Sequence, residues 1–298
     1  MRLPAPLLLL AALALACIVG PWVGAALGSD GATVDLLHRL AGPSAVHPLG
    51  TDELGRDELL RLLGAGRVSL AIGVAAALTA AALGTTVGLA AGYLGGWTDR
   101  LSMRLTDAVI ALPLLPLLIV LAALDLRKLG VPQWLARSDD ISFLRIVLLA
   151  VLVSWTTPAR LVRGAALAAR NRDFVRAARS LGARVPHILR VHILPNALAP
   201  LTVATALSVG DVILLESVLS FLGLGIQPPL ASWGTMLTNA QDLIETAPRL
   251  ALYPGLMIFL TVIACNLLGD TLQHRLDRAA ASRSASRGRA AKRLSAAR

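Results

Sequence analysis

At 298 residues, with 56% hydrophobic and 15% charged residues and a mean hydropathy of +0.70, the chain is too apolar for an ordinary soluble domain of this length. The formal charge of +10 and a pI near 11.2 do not mark a nucleic-acid binder, because aromatics make up only 4% and the basic residues lie between or after apolar runs. Such a distribution belongs to membrane topology and to contact with lipid headgroups.

Residues 3–27 form an apolar run long enough to span the ~30 Å hydrocarbon core. Arg2 precedes it, and the ALALA stretch also permits a cleaved signal peptide; the run continues to Leu27, which favours an uncleaved first helix. Residues 28–66 are polar and turn-rich. Their most defined piece is HPLGTDELGRD, residues 47–57, which reads as a capped, solvated turn leading into a helix rather than a hard-cation site at Asp52, Glu53, Asp57 and Glu58.

A second span, about Val68–Leu94, carries Gly84, Gly88 and Gly92 at four-residue intervals, a flat stripe that lets another helix approach closely. The third, about Leu105–Leu124, contains Pro113 and Pro116 and is expected to be kinked. The fourth runs from Ile141 to about Ala159 with Trp155 and Pro158 inside it, and Arg160 and Arg163 mark its exit. Cys17 and Cys265 lie inside apolar runs with no CxxC and no Cys/His cluster, so neither a disulfide framework nor a zinc site is implied.

Between the fourth and fifth spans lies the densest basic segment, NRDFVRAARSLGARVPHILRVHILPNALAP, residues 171–200. Phe174, Ala177, Ala178, Leu181 and Val185 recur at helical spacing among Arg172, Arg176, Arg179 and Arg184, which describes a short surface helix. Gly182 relaxes its end, Pro186 restarts the chain, and Pro195 with Asn196 announces the next apolar run. The fifth span, Ala197–Leu219, contains Asp211 and Glu216. Ionisable groups at that depth face a bundle interior or a wet cavity, or, for Glu216, the membrane edge as the chain leaves. Residues 217–234 form an apolar, Gly/Pro-rich loop expected to dip back against the protein. After the sixth span, about Leu250–Leu268, the tail from Arg275 is Ala, Ser and Arg and is expected to be disordered.

Four segments carry a family resemblance. HPLGTDELGRD, the A-A-x-x-x-G at Ala177–Gly182 followed nine residues later by HILPN, the ESVLSFLGLGIQPPLASWG run at 216–234, and NLLGD at 266–270 occur in one order. Together they resemble the dipeptide/oligopeptide/nickel permeases of bacterial ABC importers, in particular the second permease subunit. The resemblance implies an all-α polytopic membrane protein with six transmembrane helices and a type I importer permease fold. Its parts would be an N-terminal helix and extracytoplasmic segment (1–66), a permease core (67–274) with a cytoplasmic coupling loop at about 166–196, and a basic cytoplasmic tail (275–298).

Further, the resemblance implies a heterodimer with another permease subunit, separate ATP-binding subunits that hold ATP and magnesium, and an extracytoplasmic solute-binding protein. The chain itself is expected to bind no cofactor and no metal. Arg176, Ala177, Ala178, Gly182, His192, Leu194 and Pro195 would contact the ATPase. Asp211, Glu216, Asn266 and Asp270 are polar candidates for the pathway or for packing. Three places depart from the family pattern: Arg176 stands where the family has Glu, His274 where it has Asp, and Asp277-Arg278 where it has Asp-Pro.

The sequence has no GxxxxGK[ST], and neither Lys128 nor Lys292 has a phosphate-cradling context, so energy must come from another subunit. With both termini in the cytoplasm, Lys and Arg number 17 in the inside segments and 7 in the outside ones, or nine against seven without the tail. An intramembrane protease is disfavoured because His187 and His192 are spaced i, i+5 with no adjoining Glu. An ion-coupled secondary transporter would rest on Asp211 and Glu216 and on an inverted repeat, which is not visible. Dipeptides or oligopeptides are the expected cargo, with nickel chelates or another small solute as the alternative.

Overall fold

The computed structural model describes residues 5–26, 31–124 and 139–296. Among them the chain is helical with connecting turns and no strand; Thr51 and Asp57 form an isolated antiparallel bridge. The helices are α1 (Ala5–Ala26), α2 (Glu58–Leu94), α3 (Gly96–Ala111), α4 (Leu114–Ala123), α5 (Asp139–Ser154) and α6 (Thr156–Arg170). They continue as α7 (Asp173–Ser180), α8 (Leu194–Phe221), α9 (Trp233–Ala240) and α10 (Arg249–Ala296). A turn at Val185–His187 and a π-helix at Ile188–Ile193 lead α7 into α8.

Four segments are long and apolar enough to cross a membrane alone: Ala5–Ala26, Glu58–Leu94, Val185–Phe221 and Arg249–Leu276. Counting each of two bent pairs as one span brings the number to six. The α3–α4 pair turns by 87° and the α5–α6 pair by 42°. Both breaks have a proline cause. Leu112 precedes Pro113 and is driven to extended geometry, φ −73° and ψ 139°, which ends α3. Pro158 has no N–H for the Ser154 carbonyl, and the chain bends there. The third span is therefore not one kinked rod but two helices nearly at right angles.

α2 is the element on which the others lean. Asp57 caps it by accepting the Leu60 N–H at 2.9 Å, and Gly95 closes it at φ 70°. Its 37 residues extend about 55 Å, well beyond the hydrocarbon thickness, so its first turns stand clear of it. The glycine stripe lies against α6. Ideal Cβ atoms on Gly84, Gly88 and Gly92 would fall 2.5 Å from Trp155 O, 2.5 Å from Ala159 O and 2.6 Å from Ala166 Cβ. α1 is tied to α2 by Arg67. Pro21 leaves the Cys17 carbonyl without its helical donor, and Arg67 supplies one, Nε to Cys17 O at 3.1 Å, with a second bond to Ile18 O at 2.6 Å.

Two expectations need correction. The turn at 47–57 is capped but not solvated: Thr51, Asp52, Asp57 and Glu58 are all buried. Asp52 accepts from the Leu54 and Arg56 amides and pairs with Arg56 and Arg61, while Arg249 of α10 donates to Leu40 O and Ala41 O and closes the segment from the far side. The second correction concerns the tail, where α10 continues as helix to Ala296. Ala and Arg are strong helix formers, so helix there needs no core to pack on.

Candidate coupling surface and buried polar cluster

α7 is held as a short helix by its ends. It starts after Arg172 in extended geometry and stops in a Schellman turn, with the Gly182 N–H on Arg179 O and the Ala183 N–H on Ala178 O, both at 3.0 Å. Gly182 sits at φ +82°. An ideal Cβ there meets nothing within 4 Å, so the demand for glycine is one of backbone conformation, not space.

The inner face of α7, Val175 and Ala178, is buried in a cluster with Tyr93, Ala166, Ala169, Ile188 and Ile193. Arg179 clamps the helix to the end of α2: its Nη2 donates to Tyr93 Oη at 3.2 Å and its guanidinium lies 5.5 Å from the Tyr93 ring centre. The outer face is apolar and open. Leu181 is 87% exposed, Phe174 45% and Val185 41%, a concentration of large apolar side chains on a short polar connection. The adjoining α3 and α6 are locked by Arg163, which pairs with both oxygens of Asp99 at 2.5 and 2.8 Å. That pair sits just past the end of α2.

Of the residues singled out from the sequence, Arg176, Ala177, Gly182 and Pro195 lie on the exposed side. Arg176 forms an exposed pair with Asp173 at 2.7 Å, so part of its charge is offset locally. His192 and Leu194 are half-buried. The His192 ring lies 6.1 Å from Phe174 and 5.9 Å from His187. Ala178 faces inward, contrary to its expected place on the contact surface: the run 174, 177, 178, 181, 185 winds around the helix, and Ala178 falls on the side that Tyr93 and Ile188 cover. Sequence reasoning missed Val175, Arg179 and Tyr93 as the inner anchor. The signal for Val175 was available in its i, i+3 spacing to Ala178, whereas nothing local connects Arg179 to Tyr93, 86 positions away.

The polar candidates in the spans separate. Asp211, Asn266 and Asp270 are exposed on this chain. Glu216 is 1% exposed, so it is enclosed by protein and not open to solvent at the end of its span. It is covered by residues 222–240, which turn back at Gly223 (φ 75°) and return through α9 into the space between α2 and α8. Ser232 caps α9 in a reciprocal capping box with Thr235. Trp233 is fully buried, its indole N–H on Leu62 O at 3.0 Å. Among the described residues no group of three or more His, Cys, Asp or Glu is placed to hold a metal.

Comparison with known proteins fits this architecture. The family described as binding-protein-dependent transport system inner membrane component matches residues 84–282, from the last third of α2 to the end of the last span and beyond. The chain belongs to this family. The permease is 41% identical over 236 residues to a glutathione transport system permease protein of Pectobacterium atrosepticum, covering 79% of this chain and 74% of that one. It is 39% identical over 240 residues to a dipeptide transport system permease protein of Alkalihalophilus pseudofirmus, covering 80% and 74%. A putative peptide permease protein of Brucella suis is 37% identical over 246 residues, covering 82% and 77%. The chain is thus a multi-pass membrane permease of an ABC import system; α7, Glu216 and the segment that covers it lie inside the matched region, while Ser69 on α2 lies before it.

Proposed function

We propose that this permease forms half of a translocation pathway for peptides of about two to a few residues. A second permease subunit would supply the other half, and an extracytoplasmic binding protein would deliver the solute. The carrying observation is α7: one face anchored to α2 and α6 through Val175, Ala178 and the Arg179–Tyr93 contact, the other open and apolar at Phe174 and Leu181. A lever of this kind transmits force only if something docks on its open face. The occupant in this reading is the ATP-binding subunit, which holds ATP and magnesium and whose closure pushes α7 and with it the end of α2. Arg176, Ala177, Gly182 and Pro195 form the rim of the contact, His192 and Leu194 its floor, and an acidic group on the ATPase faces Arg176. Peptide cargo is favoured because relatives named for dipeptide and glutathione transport cover most of the chain.

Both termini lie in the cytoplasm in this reading, supported by the density of Arg between α6 and α8. Asp211, Asn266 and Asp270, exposed on the isolated chain, face the second permease or the pathway. The chain carries out no hydrolysis of its own. Reconstitution in liposomes tests the proposal: peptide uptake occurs with the full complex and ATP, and stops when the ATP-binding subunit is omitted. Uptake driven by a proton gradient alone overturns it and favours an ion-coupled carrier.

A further inference from the structure

Glu216 lies in the last turns of α8, and no cation pairs with its carboxyl among the described residues. The hydrogen bonds around it run in one sense. The Trp233 N–H donates to Ser69 Oγ at 3.1 Å, and the Ser69 hydroxyl donates to Glu216 Oε2 at 3.2 Å. On the other side the Ile226 N–H donates to Ser220 Oγ at 3.3 Å, and the Ser220 proton goes to Glu216 Oε1 at 2.6 Å. Ser232 accepts the Thr235 N–H at 3.2 Å and passes its own proton to Ser220 at 3.4 Å. A backbone N–H can only donate and a hydroxyl has one proton, so each serine hands its donor onward until the relay reaches a group that only accepts. The two carboxyl oxygens of Glu216, each accepting one serine hydroxyl, form that terminus. An amide does not, because it turns a donor toward serines already committed to donating.

Three stretches distant in sequence converge there: α2 at Ser69, the end of α8 at Glu216 and Ser220, and the returning segment at Ile226–Thr235. That segment also walls a cavity of about 520 Å³ together with Arg61 and Val68 of α2. We propose that Glu216 is the positioning residue that keeps residues 222–240 seated on α2 throughout the transport cycle. The segment, α2 and the end of α8 then move as one body, and the cavity mouth is a fixed wall, not a flap. The role in transport rests on the permease reading above; the seating of the segment does not.

The test uses the assembled importer in lipid nanodiscs and liposomes, with Glu216→Gln, Ser69→Ala and the double variant. Amide hydrogen exchange of residues 222–240 is expected to rise about tenfold or more in Glu216→Gln, the consequence of unmatched buried donors in the seated state, while exchange in 173–180 stays at the parent level. Peptide taken up per ATP hydrolysed falls several-fold. The double variant is no worse than Glu216→Gln, because the two residues belong to one relay. Exchange within about twofold of the parent in both single variants, or additive effects in the double, overturns the proposal. A loosened segment with unchanged uptake per ATP overturns its role in transport. Should Glu216→Gln fail to assemble, Ser69→Ala carries the same comparison. Absence of ATP-driven uptake in the parent complex sinks the permease reading alone, since hydrogen exchange still decides whether Glu216 seats the segment.

Discussion

Replacing Gly88 by Ala puts one methyl group into the close contact between α2 and α6. That carbon would sit 2.5 Å from Ala159 O, 2.9 Å from Val162 Cβ and 3.0 Å from Arg163 N. Ordinary contact begins near 3.4 Å, and two of the three obstacles are backbone atoms that no rotamer change can move aside. α6 must therefore retreat by about 1 Å, opening the seam along its whole contact with Gly84 and Gly92, at a cost of ~1–3 kcal/mol. Substitution of Ala for Gly also favours helix by up to ~1 kcal/mol, which masks part of the loss. Gly164 supplies the control. It lies on α6 with nothing within 4 Å of an added Cβ, so Gly164→Ala carries the propensity gain without the clash. The difference between the two variants isolates packing and is expected to be ~1–3 kcal/mol in reversible unfolding of the purified chain in mixed micelles. Gly84→Ala combined with Gly88→Ala should cost less than the two alone, because one retreat of α6 relieves both. Equal stability of Gly88→Ala and Gly164→Ala would refute the close approach.

Substitutions at three further positions probe the anchors. Gly182→Leu forces a bulky residue to φ +82° at a cost of ~1–2 kcal/mol, whereas Gly182→Asn tolerates that region; the importer assembled with the Leu variant should hydrolyse ATP with reduced uptake, and normal uptake would argue that α7 does not dock. Arg67→Met removes the donors to Cys17 O and Ile18 O, costing ~1–3 kcal/mol at the α1–α2 contact, and should speed alkylation of the buried Cys17 by a membrane-permeant maleimide; an unchanged rate counts against the anchor. Tyr93→Phe keeps the ring under Arg179 and loses one hydrogen bond, about 1 kcal/mol, while Tyr93→Ala empties the cluster beneath α7 and costs ~3 kcal/mol or more. Uptake per ATP should fall in that order, and equal values for the two variants would show that α7 is anchored elsewhere.

Much of this protein is written locally. Apolar runs of fixed length fix how many times the chain crosses hydrocarbon, since every backbone group there must be satisfied within its own helix. Glycines at intervals of four announce a close helix neighbour, and Pro113 and Pro158 mark where rods must break. The motif runs at 177–196 and 216–234 point to the family without reference to any contact. Other features depend on which distant segments meet. Nothing in residues 47–57 says that Arg249, two hundred positions away, will roof the turn and bury its carboxylates. The inward face of α7 is decided by Tyr93 at the end of another helix, which is why Ala178 turned from a contact residue into an anchor. Glu216 is the sharpest case. Sequence supplies an acidic residue near the end of an apolar span, which suits a solvated membrane edge. Its burial follows only when residues 222–240 fold back over it and Ser69 and Ser220 aim their protons at it with Ser232 behind Ser220, because the hydrogen-bonding capacity of a carboxyl is local while the donors that satisfy it come from across the fold.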